Sequence, residues 1–150
     1  MGDTSARHGD AFPPTAFGPG WHLMPGAHVV ILDDRDRSKD SLRTIVERAG
    51  FRATQTMSAA QALGLAMTTP IGAVIADIDL RGDIRDALWL LHRVRTTAGL
   101  AHIPVIGVTE RASHQSLYTQ AGFLTVLVEP VTPAEIRSVL QVLTTMDRPA

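Results

Sequence analysis

Val29-Val30-Ile31-Leu32-Asp33-Asp34 is the stretch that decides the fold. Four apolar, mostly β-branched residues run without a polar interruption and stop at two adjacent carboxylates. A strand with one face in water alternates apolar and polar residues, whereas a strand covered on both faces is apolar throughout. The same pattern returns three times. Ala73-Val74-Ile75-Ala76 halts at Asp77, Pro104-Val105-Ile106-Gly107-Val108 at Thr109, and Leu124 to Val128 at Glu129-Pro130. Phe51 to Thr56, with β-branched Thr54 and Thr56, adds one more strand between the first two of these.

Helical spacing fills the intervals. Leu42, Ile45, Val46 and Ala49 recur on one face of a helix predicted over 38–49, with Gly50 at its end. Ser58 is placed to cap a helix through Met67 whose apolar face carries Ala62, Leu63, Ala66 and Met67. After a loop from Ile78 to Ile84, a third helix contains Leu88, Leu91, Val94 and Arg95, with Trp89 and Leu90 expected to be partly core. A short polar helix over 111–121 precedes Gly122, and its Tyr118 is expected at the surface. Thr132-Pro133-Ala134-Glu135 forms a capping box with proline at the first helical position. It opens a last helix with Ile136, Val139, Leu140 and Leu143 inward. Strands alternating with helices predict an α/β domain, a doubly wound five-stranded parallel sheet with helices on both faces. In such sheets ligands bind beyond the carboxyl ends of the strands. Asp33, Asp34, Asp77, Thr109 and Glu129 all fall there.

The 150 residues suit one domain, assigned to residues 28–145, and 45% hydrophobic content is enough for a core. Residues 1–27 hold five glycines and four prolines without a period and read as a disordered tail; residues 146–150 form a second tail. The formal net charge of −1 offers no general attraction to nucleic acid or an anionic membrane. The absence of cysteine excludes disulfides and thiol chemistry. With no apolar stretch suited to a signal peptide or a membrane span, the expectation is a soluble, cytoplasmic protein.

An acidic pair after the first strand, aspartate after the third, threonine after the fourth and X-Pro after the fifth together resemble the response-regulator receiver family. The resemblance spans about residues 27–145. It implies a flavodoxin-like sheet with strand order 2-1-3-4-5 and a role in two-component or phosphorelay signalling. It further implies one Mg²⁺, held directly by Asp34 and Asp77, by Asp33 through water, and by the main-chain carbonyl of Asp79. Asp77 then corresponds to the phospho-acceptor and Thr109 to the hydroxyl that bonds a phosphoryl oxygen. The implied partners are a histidine kinase or phosphotransfer protein, a downstream protein, and a second copy through the helix 4–strand 5–helix 5 face. Hard carboxylate ligands that leave positions open to water suit Mg²⁺ on chemical grounds as well.

Three positions depart from the family. Glu129 stands where a lysine ordinarily neutralises the transferring group. At ~4 Å and an effective dielectric of about 20, each unit-charge interaction is worth about 4 kcal/mol before screening, so the exchange weighs against phosphoryl transfer. Val126 replaces an aromatic ring that couples the site to the surface. The loop after Asp77 carries Arg81 for a common proline and two extra residues. Arg35 and Arg81 lie beside the acidic motifs as candidate compensating cations. The expected function is therefore an atypical receiver, not an enzyme, acting through protein–protein contacts with weak or absent phosphorylation on Asp77. A fully functional phospho-acceptor receiver is the alternative. A metal-dependent phosphoryl-transfer enzyme using Asp77 and Asp79 is the alternative from another class.

Overall fold

A computed structural model describes residue 23, residues 26–35 and residues 41–145. Of the predicted tails over 1–27 and 146–150, residues 1–22, 24, 25 and 146–150 lie outside the described residues, as does the expected start of the first helix over 38–40. In chain order the elements are β1 (His28–Leu32), α1 (Leu42–Arg48), β2 (Arg52–Thr56), α2 (Ala59–Thr68), β3 (Ala73–Asp77), α3 (Arg85–Thr96), β4 (Val105–Thr109), α4 (Gln115–Ala121), β5 (Thr125–Val128) and α5 (Pro133–Thr145). Short 3₁₀ turns, Leu80–Gly82 and Ala112–His114, precede α3 and α4. All strand pairs are parallel, and the order is β2-β1-β3-β4-β5, as expected.

Successive side chains on a strand point to opposite faces, and the two halves of the core follow that rule. Val29, Ile31, Ala73, Ile75, Ile106 and Val108 face one side, against Leu42, Ile45 and Val46 of α1 and Ile136, Val139, Leu140 and Leu143 of α5. Val30, Leu32, Val74, Ala76 and Val105 face the other, against Ala62, Leu63 and Ala66 of α2 and Leu90, Leu91 and Val94 of α3. Gly107 lies between Ile78 and Phe123 on this second side; a Cβ there would sit 2.5 Å from Ile78 Cδ1.

The helix starts at Ser58 and Thr132 carry the expected caps, whereas the first helix, predicted from residue 38, begins at Leu42 behind an extended Ser41 that caps it. Ser41 and Ser58 Oγ accept from the amides of Thr44 (3.1 Å) and Gln61 (3.2 Å). Thr132 and Glu135 bond reciprocally at the start of α5. Three side-chain placements differ from the sequence reading. Met67 is 58% exposed, because α2 already meets the sheet through alanines and Leu63. Trp89 is 41% exposed with the Arg93 guanidinium stacked on it, while Leu90 is fully buried. Tyr118 is buried, because it is the one large ring that an otherwise polar α4 can set into the core.

Leu23 is fully buried in the α1–α5 half of the core, within the stretch read as tail. Gly72 makes room for it: a Cβ at Gly72 would lie 2.5 Å from Leu23 Cδ1. Leu23→Ala should therefore lower stability by about 2–5 kcal/mol, the range for emptying a packed leucine site. Urea unfolding with an unchanged slope checks it; a shift within error would show that Leu23 is not part of the folded core.

Candidate functional site

Strands β1, β3 and β4 and the edge strand β5 deliver their polar terminal residues to one end of the sheet. Asp33 and Asp34 follow β1, Asp77 and Thr109 end β3 and β4, and Glu129 follows β5. Main-chain bonds fix these ends: Asp33 N–H donates to Thr56 O, Ile78 N–H to Val108 O and Glu129 N–H to Thr109 O. Carboxylate oxygens of Asp33, Asp34 and Asp77 all lie within 4.8 Å of one another. Asp33, Asp77 and Thr109 are buried. Burial is the main cause that raises the Asp77 carboxyl to about 6, with Asp33 and Glu129 adding to it; Arg35 and the Asp79 amide, which donates to Asp77 Oδ1 at 3.0 Å, act the other way.

Arg35 crosses the middle of this acidic group. Its backbone N–H and Nε both donate to Asp33 Oδ1, at 3.0 and 3.1 Å. Nη1 donates to Glu129 Oε1 (2.9 Å), Nη2 donates to Glu129 Oε2, and Nη2 stands 3.7 Å from Asp77 Oδ2. The planar fork of guanidinium matches a carboxylate bidentately. Its bond to Glu129 raises the Arg35 pKa above its ordinary value; burial works against this, and the bond to Asp33 adds to it. Glu129 thus does not face Asp77 as a bare anion. Gln55, a residue the sequence reading passed over, anchors this loop by donating to the carbonyls of Asp33 (2.6 Å) and Arg35 (3.1 Å). Only its position near the end of an edge strand, paired with Ile31 two residues before the acidic pair, signals that task.

The loop after Asp77 is built around Arg81, whose φ of 54° is left-handed. Arg81 Nη1 donates to Met57 O (3.1 Å) and lies 3.7 Å from Asp34 Oδ2, and Nη2 bonds Asp86 (3.2 Å). Both arginines flagged from the sequence therefore meet the acidic residues. The main-chain carbonyl of Asp79 accepts from Gly82 N–H at 2.7 Å. The Asp79 side chain turns toward β4: Oδ2 accepts from Thr109 Oγ1 (2.7 Å) and Glu110 N–H (2.9 Å). Asp77 and Asp79 consequently do not converge as a carboxylate pair. Val126 is buried opposite Gly107, and its carbonyl accepts from Gln115 Nε2 at 2.6 Å, tying α4 to β5.

Three clustered carboxylates are hard oxygen donors that fit Mg²⁺ or Mn²⁺. Like charges held this close favour a cation of either kind.

Residues 29–141 match the family described as the response regulator receiver domain. Among solved structures, the receiver domain of the sensor histidine kinase PA1611 from Pseudomonas aeruginosa, with a magnesium ion coordinated in its active site cleft, superposes with a TM-score of 0.70 at 21% identity. That match covers 81% of this chain and 99% of the other. A response regulator receiver domain (CheY-like) from Methylobacillus flagellatus gives 0.67 at 21% identity, covering 81% and 98%. The chemotaxis response regulator CheY4 of Vibrio cholerae gives 0.65 at 20%, covering 78% and 98%.

The raised Asp77 carboxyl carries a stability consequence of fixed sign. The fold binds a proton there more tightly than the unfolded chain does, so stability from this group is present at low pH and is lost as pH rises through about 6. Asp77→Asn should stabilise the metal-free protein at neutral pH by on the order of 2 kcal/mol. The gain should vanish below the ordinary carboxyl value of 3.8. Denaturation midpoints of both proteins across that range check it, and a gain independent of pH would contradict it.

Proposed function

The chain belongs to the response regulator receiver domain family, and from that premise we propose an atypical receiver that accepts a phosphoryl group on Asp77 only weakly and acts by docking on protein partners. The observation that carries this reading is the Arg35–Glu129 pair. Phosphoryl transfer depends on positioning and on positive charge facing the transferring oxygens. Among the described residues, the cation paired with Asp77 is Arg35, and both of its terminal nitrogens are engaged by Glu129. Among the described residues, Arg81 is likewise held by Asp34 and Asp86.

In the reaction, an Asp77 carboxylate oxygen attacks the phosphorus of a phosphohistidine or a small acyl phosphate. The donor's P–N or P–O bond breaks, and an aspartyl phosphate forms. Asp34 and Asp77 would hold Mg²⁺ directly, Asp33 through water, and the Asp79 main-chain carbonyl would complete the protein ligands. When bound, the ion supplies charge neutralisation of the phosphoryl oxygens. Arg35 orients Asp33 and screens Asp77, while Thr109 offers its hydroxyl at the end of β4.

A histidine kinase or phosphotransfer protein is the natural donor, in the cytoplasm. No described helix is long and apolar enough to cross a membrane. The face formed by α4, β5 and α5 is the surface for a downstream partner or a second copy; Leu117 of α4 is 60% exposed. Valine at 126 cannot relay a ring movement to that face.

Intact mass after incubation with Mg²⁺ and acetyl phosphate tests the reading. The wild type should show a minor phosphorylated fraction, absent in Asp77→Asn. Glu129→Gln, which keeps the side chain's shape and releases the guanidinium, should raise that fraction about tenfold, the effect of removing one charge-assisted constraint. Near-complete labelling of the wild type, unaltered by Glu129→Gln, would establish an ordinary acceptor instead. Labelling that survives in Asp77→Asn would move the acceptor elsewhere.

A further inference from the structure

Among the described residues, Asp79 is a carboxylate at this end of the sheet whose side chain turns away from the acidic cluster. Its side chain is 8% exposed, and Oδ2 takes two hydrogen bonds from the β4–α4 connection, from Thr109 Oγ1 and Glu110 N–H. Oδ1 is buried without a hydrogen-bond partner, and Arg111 Nε stands 3.8 Å from it. The Thr109 hydroxyl closes the arrangement by accepting from Arg111 N–H at 3.0 Å. Three consecutive residues thus offer a hydroxyl, an amide and a guanidinium to one negative group.

A threonine hydroxyl has a single proton to donate. Here that proton points at Asp79, so it is not available to another anion at the same time. A buried carboxylate is costly unless it is hydrogen-bonded, and these donors are what hold it in place. Asp79 lies two residues beyond Asp77, on the loop that its own amide ties back to Asp77 Oδ1. The contact therefore links the end of β3 directly to the connection that leads into α4. Burial raises the Tyr118 hydroxyl above its ordinary value, and the Asp79 charge adds to that, which places this carboxylate within electrical reach of α4.

We propose that Asp79 is an internal anion that clasps the β4–α4 connection in one arrangement and keeps the Thr109 hydroxyl from an incoming phosphoryl group. The clasp follows from the structure alone; the phosphoryl competition rests on the receiver reading. Asp79 acts as a positioning residue through Thr109. It gives the α4 side of the molecule a fixed state in the absence of phosphate. An external anion gains the hydroxyl only by displacing this carboxylate.

Two measurements on the full chain separate the clasp from the receiver reading. The first is amide hydrogen exchange at Glu110 and Arg111 without metal. Asp79→Ala should speed exchange at both by about tenfold, which corresponds to 1.4 kcal/mol, and Asp79→Asn should do so less. Should Asp79→Ala fold poorly, Asp79→Asn with Thr109→Val gives the same reading from the two ends of the bond. The second is calorimetric titration with beryllofluoride, a phosphoryl mimic, in Mg²⁺. Affinity should rise about tenfold in Asp79→Asn, and the rise should disappear in Asp79→Asn/Thr109→Val. Unchanged exchange in the Asp79 variants overturns the clasp whatever the anion does. Faster exchange with no beryllofluoride binding by any variant retains the clasp and overturns the phosphoryl-acceptor reading. Binding that rises equally with Thr109→Val present overturns the competition for the hydroxyl.

Discussion

Asp33, Asp34, Asp77 and Glu129 meet at one edge of the sheet, and carboxylates in a half-dry pocket repel one another unless a cation stands among them. Arg35 is that cation. It reaches Asp33, Asp77 and Glu129 from a loop of β1, so a single guanidinium ties the ends of three strands together. The parallel sheet makes this arrangement unavoidable. Strands buried on both faces can place polar groups only at their ends, and parallel order brings those ends to the same edge. The geometry that assembles a metal or phosphoryl site therefore also assembles a charge problem, and the chain meets it with its own arginines. A metal at Asp33, Asp34 and Asp77 would enter a site that already contains positive charge, so binding has to overcome Arg35 and Arg81 as well as dehydration.

The fold was readable because its signals repeat. Uninterrupted apolar runs such as Val29–Leu32 and Ala73–Ala76 leave no face for water, and Ser58, Gly50 and the Thr132–Glu135 box mark helix ends through chemistry that is local in sequence. The site residues at strand ends were readable for the same reason. What escaped depended on direction. Helical spacing assigns Met67 to the inner face of α2, yet alanines fill the sheet contact first and leave the longer side chain outside. Tyr118 looks like a surface residue on a polar helix, but it is the ring of Tyr118 that α4 turns into the core, while its neighbour Leu117 stays exposed. Leu23 sits among glycines and prolines, where composition gives no hint that Gly72 has left space for it.

Charge pairing was the least readable feature. Glu129 in a position that calls for a cation suggests repulsion, and that inference holds only while its partner is unknown. Arg35 is 94 residues away in sequence, and the pairing needs the β1 and β5 loops to be set in space before the guanidinium can reach both. The same is true of Asp79 and Thr109, 30 residues apart, whose bond turns a presumed metal-side residue toward β4. Gln55 is a further case: a glutamine on an edge strand is unremarkable until its amide is seen holding the carbonyls of Asp33 and Arg35.

These pairings change what the departures from the family mean together. Glu129 without Arg35 would be an impaired site, and Val126 without a substitute contact would be a broken relay. With Arg35 on Glu129 and Asp79 on Thr109, each group that a phosphoryl oxygen needs has an internal partner of opposite charge or matching donor. Gln115 bonding the Val126 carbonyl fixes the same end of α4 to β5. The sheet edge and the α4 face are thereby held by bonds that do not depend on phosphate. On the proposed reading, a receiver fold so connected presents one surface steadily, and a phosphoryl group on Asp77 competes with the protein's own carboxylates for the same donors.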